Sequence, residues 1–166
     1  MSVEIERKFL IRLPDLKRIT ALPGCRVRRI VQTYLEKIPG WKIQRRVRMI
    51  REGGRVEYIF TQKEDLSGIS RIENEWAVSQ EEYEKILAEA VSRLEKTRYA
   101  FPWEGHVMEI DVYPYEIGGD GLVGRAVLEV ELGEEDEAFT IPDFIEVERE
   151  LTGTKEFSNM SMAKRL

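Results

Sequence analysis

Val3-Glu4-Ile5-Glu6-Arg7-Lys8-Phe9 is the stretch on which the fold turns. In an extended strand, side chains two positions apart share a face. Glu4, Glu6 and Lys8 therefore stand on one side, with Val3, Ile5 and Phe9 on the other. An ordinary antiparallel sheet, apolar face on the core and charged face in water, has the same period. The distribution of charge along the rest of the chain separates the two arrangements.

The same device recurs in strand after strand. Arg46 and Arg48 lie opposite Val47 and Met49, and Glu73 and Glu75, with Arg71, lie opposite Ile72 and Trp76. Lys63 closes the strand Tyr58–Lys63 on the face of Thr61, and Lys96 and Arg98 form another pair. Glu109 and Asp111 lie opposite Met108, Ile110 and Val112, and Glu129 and Glu131 opposite Leu128, Val130 and Leu132. A solvated face usually mixes signs, because like charges side by side repel. Here a strand tends to carry one sign twice. Carboxylate pairs ask for a divalent cation and Arg/Lys pairs for a polyanion. The pattern predicts an inverted barrel, its charged faces on a lumen and its apolar faces outward under helices; about eight strands enclose one small ligand.

Candidate strands are Val3–Ile11, Arg26–Lys37, Trp41–Glu52, Arg55–Glu64, Gly68–Val78, Glu95–Phe101, His106–Tyr113 and Ala126–Leu132. Pro39-Gly40 and Gly53-Gly54 mark hairpin corners. Ser79–Leu94 reads as an amphipathic helix with Ser79 and Glu82 as a capping box. Shorter helices are expected at Pro14–Ala21, Pro142–Leu151 and Asn159–Leu166. The fold class is therefore α+β: a closed eight-stranded antiparallel barrel, or tunnel, with a charged lumen and surrounding helices. Residues 1–166 are expected to form one domain.

Composition narrows the chemistry. The chain has 31 acidic and 26 basic residues, a net charge of −5, and no Lys/Arg block, which speaks against nucleic acid as a partner. The lone Cys25 and His106 are too few for a disulfide framework or a zinc site. Any metal site must be built from carboxylates, which favours hard cations. No segment is long enough to span a bilayer, so no membrane partner is expected and a cytoplasmic setting is the default. Gly119-Asp120-Gly121-Leu122-Val123-Gly124 matches the dinucleotide fingerprint in letters only, because a strand rather than a helix follows it.

The run Glu4-Ile5-Glu6-Arg7-Lys8 resembles the ExExK strand of the CYTH superfamily, the triphosphate tunnel metalloenzymes. The remaining motifs follow in that family's order: Gln32-Thr33-Tyr34-Leu35, Arg46-Val47-Arg48, Lys63, Ser70-Arg71 with Glu73 and Glu75, Leu94 to Tyr99, Glu109-Ile110-Asp111 and Leu128-Glu129-Val130-Glu131. The resemblance implies an antiparallel tunnel that hydrolyses a triphosphate with Mg²⁺ or Mn²⁺, inorganic tripolyphosphate being the expected substrate. It implies that Lys8, Arg46, Arg48, Lys63, Lys96 and Arg98 hold phosphate oxygens. Glu4, Glu6, Glu73, Glu75, Asp111, Glu129 and Glu131 would hold metal. Tyr34 and Lys96 are similar to the Tyr–Lys dyad of the small bacterial inorganic triphosphatases. Lys155 sits where a lysine precedes the family's C-terminal plug helix, although Ser158-Asn159-Met160-Ser161 replaces a more basic run. An adenylyl cyclase, a nucleoside or thiamine triphosphatase, and a non-enzymatic polyphosphate-binding module stay open as alternatives. The protein is expected to act as a monomer or homodimer.

Overall fold

A computed structural model describes residues 2–67, 69–114 and 119–166. Strands β1 (Ser2–Arg12), β2 (Arg26–Leu35), β3 (Gln44–Glu52), β4 (Arg55–Asp65), β5 (Ser70–Val78), β6 (Ala90–Trp103), β7 (His106–Val112) and β8 (Arg125–Leu132) form the barrel. They pair in the circular order β1-β5-β4-β3-β2-β6-β7-β8, and β8 returns to β1. Every pairing is antiparallel, so the expected closed barrel is what the chain forms.

The apolar faces do look outward. Phe9, Ile11, Phe101, Met108, Ile110, Leu128 and Val130 form an outer core covered by Ile19 and Ile145. Ile19 comes from helix α1 (Leu16–Thr20), capped by Asp15, which accepts from the Lys17 backbone N–H at 3.0 Å. A second outer core joins Leu35, Val47 and Phe60 to Tyr83 of helix α2 (Gln80–Ile86).

The lumen is not charged throughout. Leu10 lies two residues beyond Lys8, Leu94 two before Lys96, Tyr113 two beyond Asp111 and Val127 two before Glu129. These inward positions join Tyr34, Leu122, Leu151 and Met162 in a third apolar cluster that closes the barrel beneath its charged layer. Met162 belongs to the short helix α3 (Asn159–Met162).

Three expected helices take other forms. The Ser79–Leu94 segment is helical only over α2 and a 3₁₀ turn at Leu87–Glu89. Its capping box holds, with Ser79 Oγ accepting from the Glu82 backbone N–H at 3.1 Å. From Ala90 the chain pairs with β2 instead, and those ladder bonds override helical periodicity. In place of a helix over Pro142–Leu151 there is a turn and then strand β9 (Val147–Glu150). The physical reason lies in β1, which leaves β5 after Ile5 and would present an open edge over Phe9–Ile11; β9 covers it. The Asn159–Leu166 helix likewise stops at Met162, and strand β10 (Lys164–Arg165) pairs with Ser92 and Arg93 of β6. Gly68, expected to open a strand, lies outside the described residues. Among the described residues no helix is long and apolar enough to cross a membrane.

Candidate active site

The strands bring their charged faces onto one lumen of about 1330 Å³. Directly paired residues of neighbouring strands point to the same side of a sheet. Arg46 pairs with Thr61, which pairs with Glu75; Lys63 pairs with Glu73. Onward around the barrel, Glu4 faces Arg71, Glu6 faces Glu131, Lys8 faces Glu129, and Glu129 faces Glu109. Arg98 faces both Asp111 and Arg28.

Arg46, Arg48, Lys63, Lys96 and Arg98 are all buried. Burial, with Arg46 nearby, draws the Arg48 guanidinium down to about 10, and the same two causes lower Lys63. Among the described residues the Nε groups of Arg28, Arg46 and Arg48 are buried donors without a hydrogen-bond partner. Crowded cations with unused donors are what a polyanion relieves.

Several of the acidic residues are held by lumen cations. Lys63 Nζ lies 3.1 Å from Glu4 and 3.3 Å from Glu73, Arg48 lies 3.3 Å from Glu75, and Lys8 lies 3.7 Å from Glu129. Burial, then Glu129 and Glu4, push the Glu6 carboxyl up to about 8. Burial and the neighbouring Glu4, Glu109 and Glu73 also raise Glu131. Glu6 and Glu131 sit directly opposite each other on β1 and β8. This crowding of hard oxygen donors fits a divalent cation. Among the described residues no three carboxylates already converge as a preformed metal cage, since lysines and arginines engage several of them.

Asp111 stands apart from the expected metal-binding set. It is fully buried and both carboxylate oxygens are occupied. Lys96 Nζ donates to Oδ2 at 2.8 Å, while Arg98 donates from Nε to Oδ1 at 2.7 Å and from Nη2 to Oδ2 at 2.9 Å. Although burial opposes it, the two cations hold its carboxyl far below the usual range. Burial in turn draws the Lys96 ammonium down to about 8 in spite of Asp111. Arg98 also reaches Glu109 at 3.1 Å and Glu129 at 3.6 Å.

Tyr34 lines the lumen, its hydroxyl accepting from Gln32 Nε2 at 2.6 Å, and burial raises its pKa. Among the described residues no hydrogen bond joins Tyr34 to Lys96; each has its own partner. Lys155 also lines the lumen, contributed by the chain just before α3.

No protein-family model matches the chain. An inorganic triphosphatase of Acetivibrio thermocellus is 35% identical to it over 166 residues, spanning 99% of this chain and 95% of that protein. The chain belongs to the CYTH family of triphosphate tunnel enzymes. A solved inorganic triphosphatase structure matches this CYTH chain with a TM-score of 0.57 and 30% identity, covering 98% of this chain and 95% of the other. A Hippeastrum protein assigned as an adenylyl cyclase and found to have a dominant triphosphatase activity shares the fold at a TM-score of 0.54. Its identity is 15%, over 78% of this chain and 80% of that one.

The CYTH lumen also contains residues that the sequence pattern left aside. Arg28 lies beside Glu109 at 3.7 Å, and Asn159 and Arg165 reach the cavity from the C-terminal segment. Arg28 follows the period-2 rule, two positions before Ile30 and four before Gln32, and could have been found that way. Asn159 and Arg165 had no such signal, because tertiary packing alone brings them there.

Proposed function

We propose that this protein hydrolyses the terminal phosphoanhydride bond of a triphosphate, with inorganic tripolyphosphate as its substrate and orthophosphate and pyrophosphate as products. One observation carries the reading: a single lumen sets buried Arg46, Arg48, Lys63, Lys96 and Arg98 against Glu4, Glu6, Glu129 and Glu131. The names of the Acetivibrio relative and of the solved 30%-identical structure support it.

Phosphoryl transfer depends on neutralising charge and aligning the attacking and leaving oxygens, more than on covalent help from the protein. Arg46, Arg48 and Lys63 on β3 and β4 bind and orient the triphosphate, with Lys8 and Lys155 as further contacts. Arg98 and Lys96 stabilise charge that develops on the transferred group and on departing pyrophosphate. Tyr34 and Lys96 position the attacking water. Glu4, Glu6, Glu73, Glu75, Glu129 and Glu131 are the groups that would hold Mg²⁺ or Mn²⁺, whereas Asp111 fixes Lys96 and Arg98. A divalent cation held there would supply Lewis-acid polarisation of phosphate oxygens.

The test offers tripolyphosphate, ATP, GTP and thiamine triphosphate separately, with Mg²⁺ or Mn²⁺, and separates the products by chromatography. Orthophosphate and pyrophosphate from tripolyphosphate are expected. Cyclic nucleotide from ATP as the sole product, or no product from any of the four, would overturn the reading.

A further inference from the structure

Tyr113 connects the charged lumen to the C-terminal segment that closes the barrel. Its ring is buried in the apolar cluster with Met162, and Lys96 Nζ lies 6.0 Å from the ring centre. Its hydroxyl donates to Asn159 Oδ1 at 2.5 Å and stands 3.5 Å from Asp111 Oδ2. A phenol has one proton to donate. With Asn159 in place that proton lies along the shorter contact, and Asp111 Oδ2 is left to Lys96 and Arg98, which both donate to it.

Asn159 comes from the C-terminal segment, outside the eight barrel strands. It opens α3, whose Met162 is buried, and the chain continues into β10 on the edge of β6. The Leu166 backbone N–H then donates to Val91 O at 2.9 Å. Docking of this segment therefore decides where the Tyr113 proton goes. If Asn159 withdraws, the acceptor left to the hydroxyl among the described residues is Asp111 Oδ2, where it competes with the Lys96 ammonium and the Arg98 guanidinium.

We infer that Asn159 and Tyr113 are positioning residues of the phosphate site, by which the docked C-terminal segment keeps Asp111 for Lys96 and Arg98. The inference rests on the proposed triphosphatase reading for its kinetic consequence, though not for the linkage itself. It assigns the C-terminal segment a part in catalysis that its uncharged Asn159 and Met160 do not suggest.

The linkage is tested by a double-mutant cycle in the full chain. Asn159→Ala is expected to lower kcat for tripolyphosphate about tenfold with KM within about twofold, the scale on which groups that orient a reacting residue act. Tyr113→Phe keeps the ring and removes the proton, so in that background Asn159→Ala should cost nothing further. Asn159→Asp keeps an acceptor for the hydroxyl, so its kcat should exceed that of Asn159→Ala, while its added charge in the lumen should raise KM. Thermal melting of each variant checks that the barrel is intact. An Asn159→Ala enzyme with unchanged kcat, or one equally impaired with and without the Tyr113 hydroxyl, would overturn the inference. Should the parent protein release no phosphate from tripolyphosphate, the proposed function fails, and the linkage is read from acetic anhydride labelling by mass spectrometry. Lys96 labelling should rise in Asn159→Ala and return to the Tyr113→Phe level in the double variant. Equal labelling in parent and Asn159→Ala would overturn it.

Discussion

Lys63 Nζ lies 3.1 Å from Glu4 Oε1, joining β4 to β1 across the intervening strand β5. The same ammonium lies 3.3 Å from Glu73 on β5, so one buried cation serves two acidic strands. If Lys63 binds phosphate as proposed, a triphosphate entering the lumen competes for that cation and frees the carboxylates. Losing a charge-assisted contact costs ~1.5–3 kcal/mol, so Lys63→Met should raise KM for tripolyphosphate about 10- to 100-fold. Steady-state kinetics with malachite-green phosphate detection measures this. A KM within twofold of the parent would mean that Lys63 is only an internal partner of Glu4 and Glu73.

The second prediction concerns Glu6, whose carboxyl is raised to about 8 by burial, Glu129 and Glu4. Between the ordinary carboxylate range near ~4.3 and pH 8, the unfolded chain has released this proton while the folded chain retains it. Folded stability is thus fully supported below the unfolded value and falls as pH rises toward 8. Glu6→Gln removes the titration. In chelator, it should melt higher than the parent at pH 8, by about 2–4 °C for each kcal/mol gained, and approach it at about pH 4, below the unfolded value. Saturating Mg²⁺ should reduce the parent's pH dependence, since a cation bound to N alone stabilises it. Differential scanning fluorimetry at the two pH values decides; a difference independent of pH would assign it to packing.

Asp111 supports the third prediction. It is enclosed with Lys96 and Arg98, and removing one partner of such a buried set leaves uncompensated charge. Asp111→Asn should therefore cost about 3–5 kcal/mol in urea unfolding. It should also slow phosphate release, because Lys96 and Arg98 lose their orientation. Loss of activity with unchanged stability would instead favour a direct role on metal.

The barrel was legible because its charges obey the strand period. Glu4 and Glu6, Arg46 and Arg48, and Glu129 and Glu131 each share an inward face, while Ile110, Leu128 and Val130 build the outer core. What escaped sequence reading depends on edges and ends. Val147–Glu150 has no strong strand signal and becomes β9 because β1 has an open edge there. Ala90–Leu94 fits a helical stripe until it meets Leu35 and Tyr34 of β2. Asp111 looks like half of another carboxylate pair with Glu109, and the sequence does not show that it is buried deep enough to accept from both Lys96 and Arg98. Leu10, Leu94 and Val127 share the charged faces in sequence, and in the fold they join Tyr34, Tyr113, Leu122, Leu151 and Met162 to make that end of the lumen apolar.

The last prediction separates hydrolysis from cyclisation and from simple binding, and it rests on Tyr34 and Lys96. Tyr34 faces the lumen with its hydroxyl held by Gln32, directly across from Arg46 on the neighbouring strand. If it positions the attacking water, Tyr34→Phe should lower kcat by roughly tenfold or more with little change in triphosphate affinity, since only a transition-state interaction is lost. Lys96→Ala should damage both parameters, because it removes a cation facing the polyanion as well as the partner of Asp111. Losing that contact costs ~1.5–3 kcal/mol or more where Asp111 is left underpaired. Pyrophosphate should be hydrolysed poorly, as it cannot span the Arg46, Arg48 and Lys63 patch and still present a terminal phosphoryl group to water. A cyclase would convert ATP to cyclic nucleotide and pyrophosphate without releasing orthophosphate, and a binding module would give neither product at any Mg²⁺ or Mn²⁺ concentration. Chromatography of tripolyphosphate, pyrophosphate and ATP reactions run side by side for the parent, Tyr34→Phe and Lys96→Ala distinguishes all three; a Tyr34→Phe protein with the parent's kcat would remove the phenol from the mechanism.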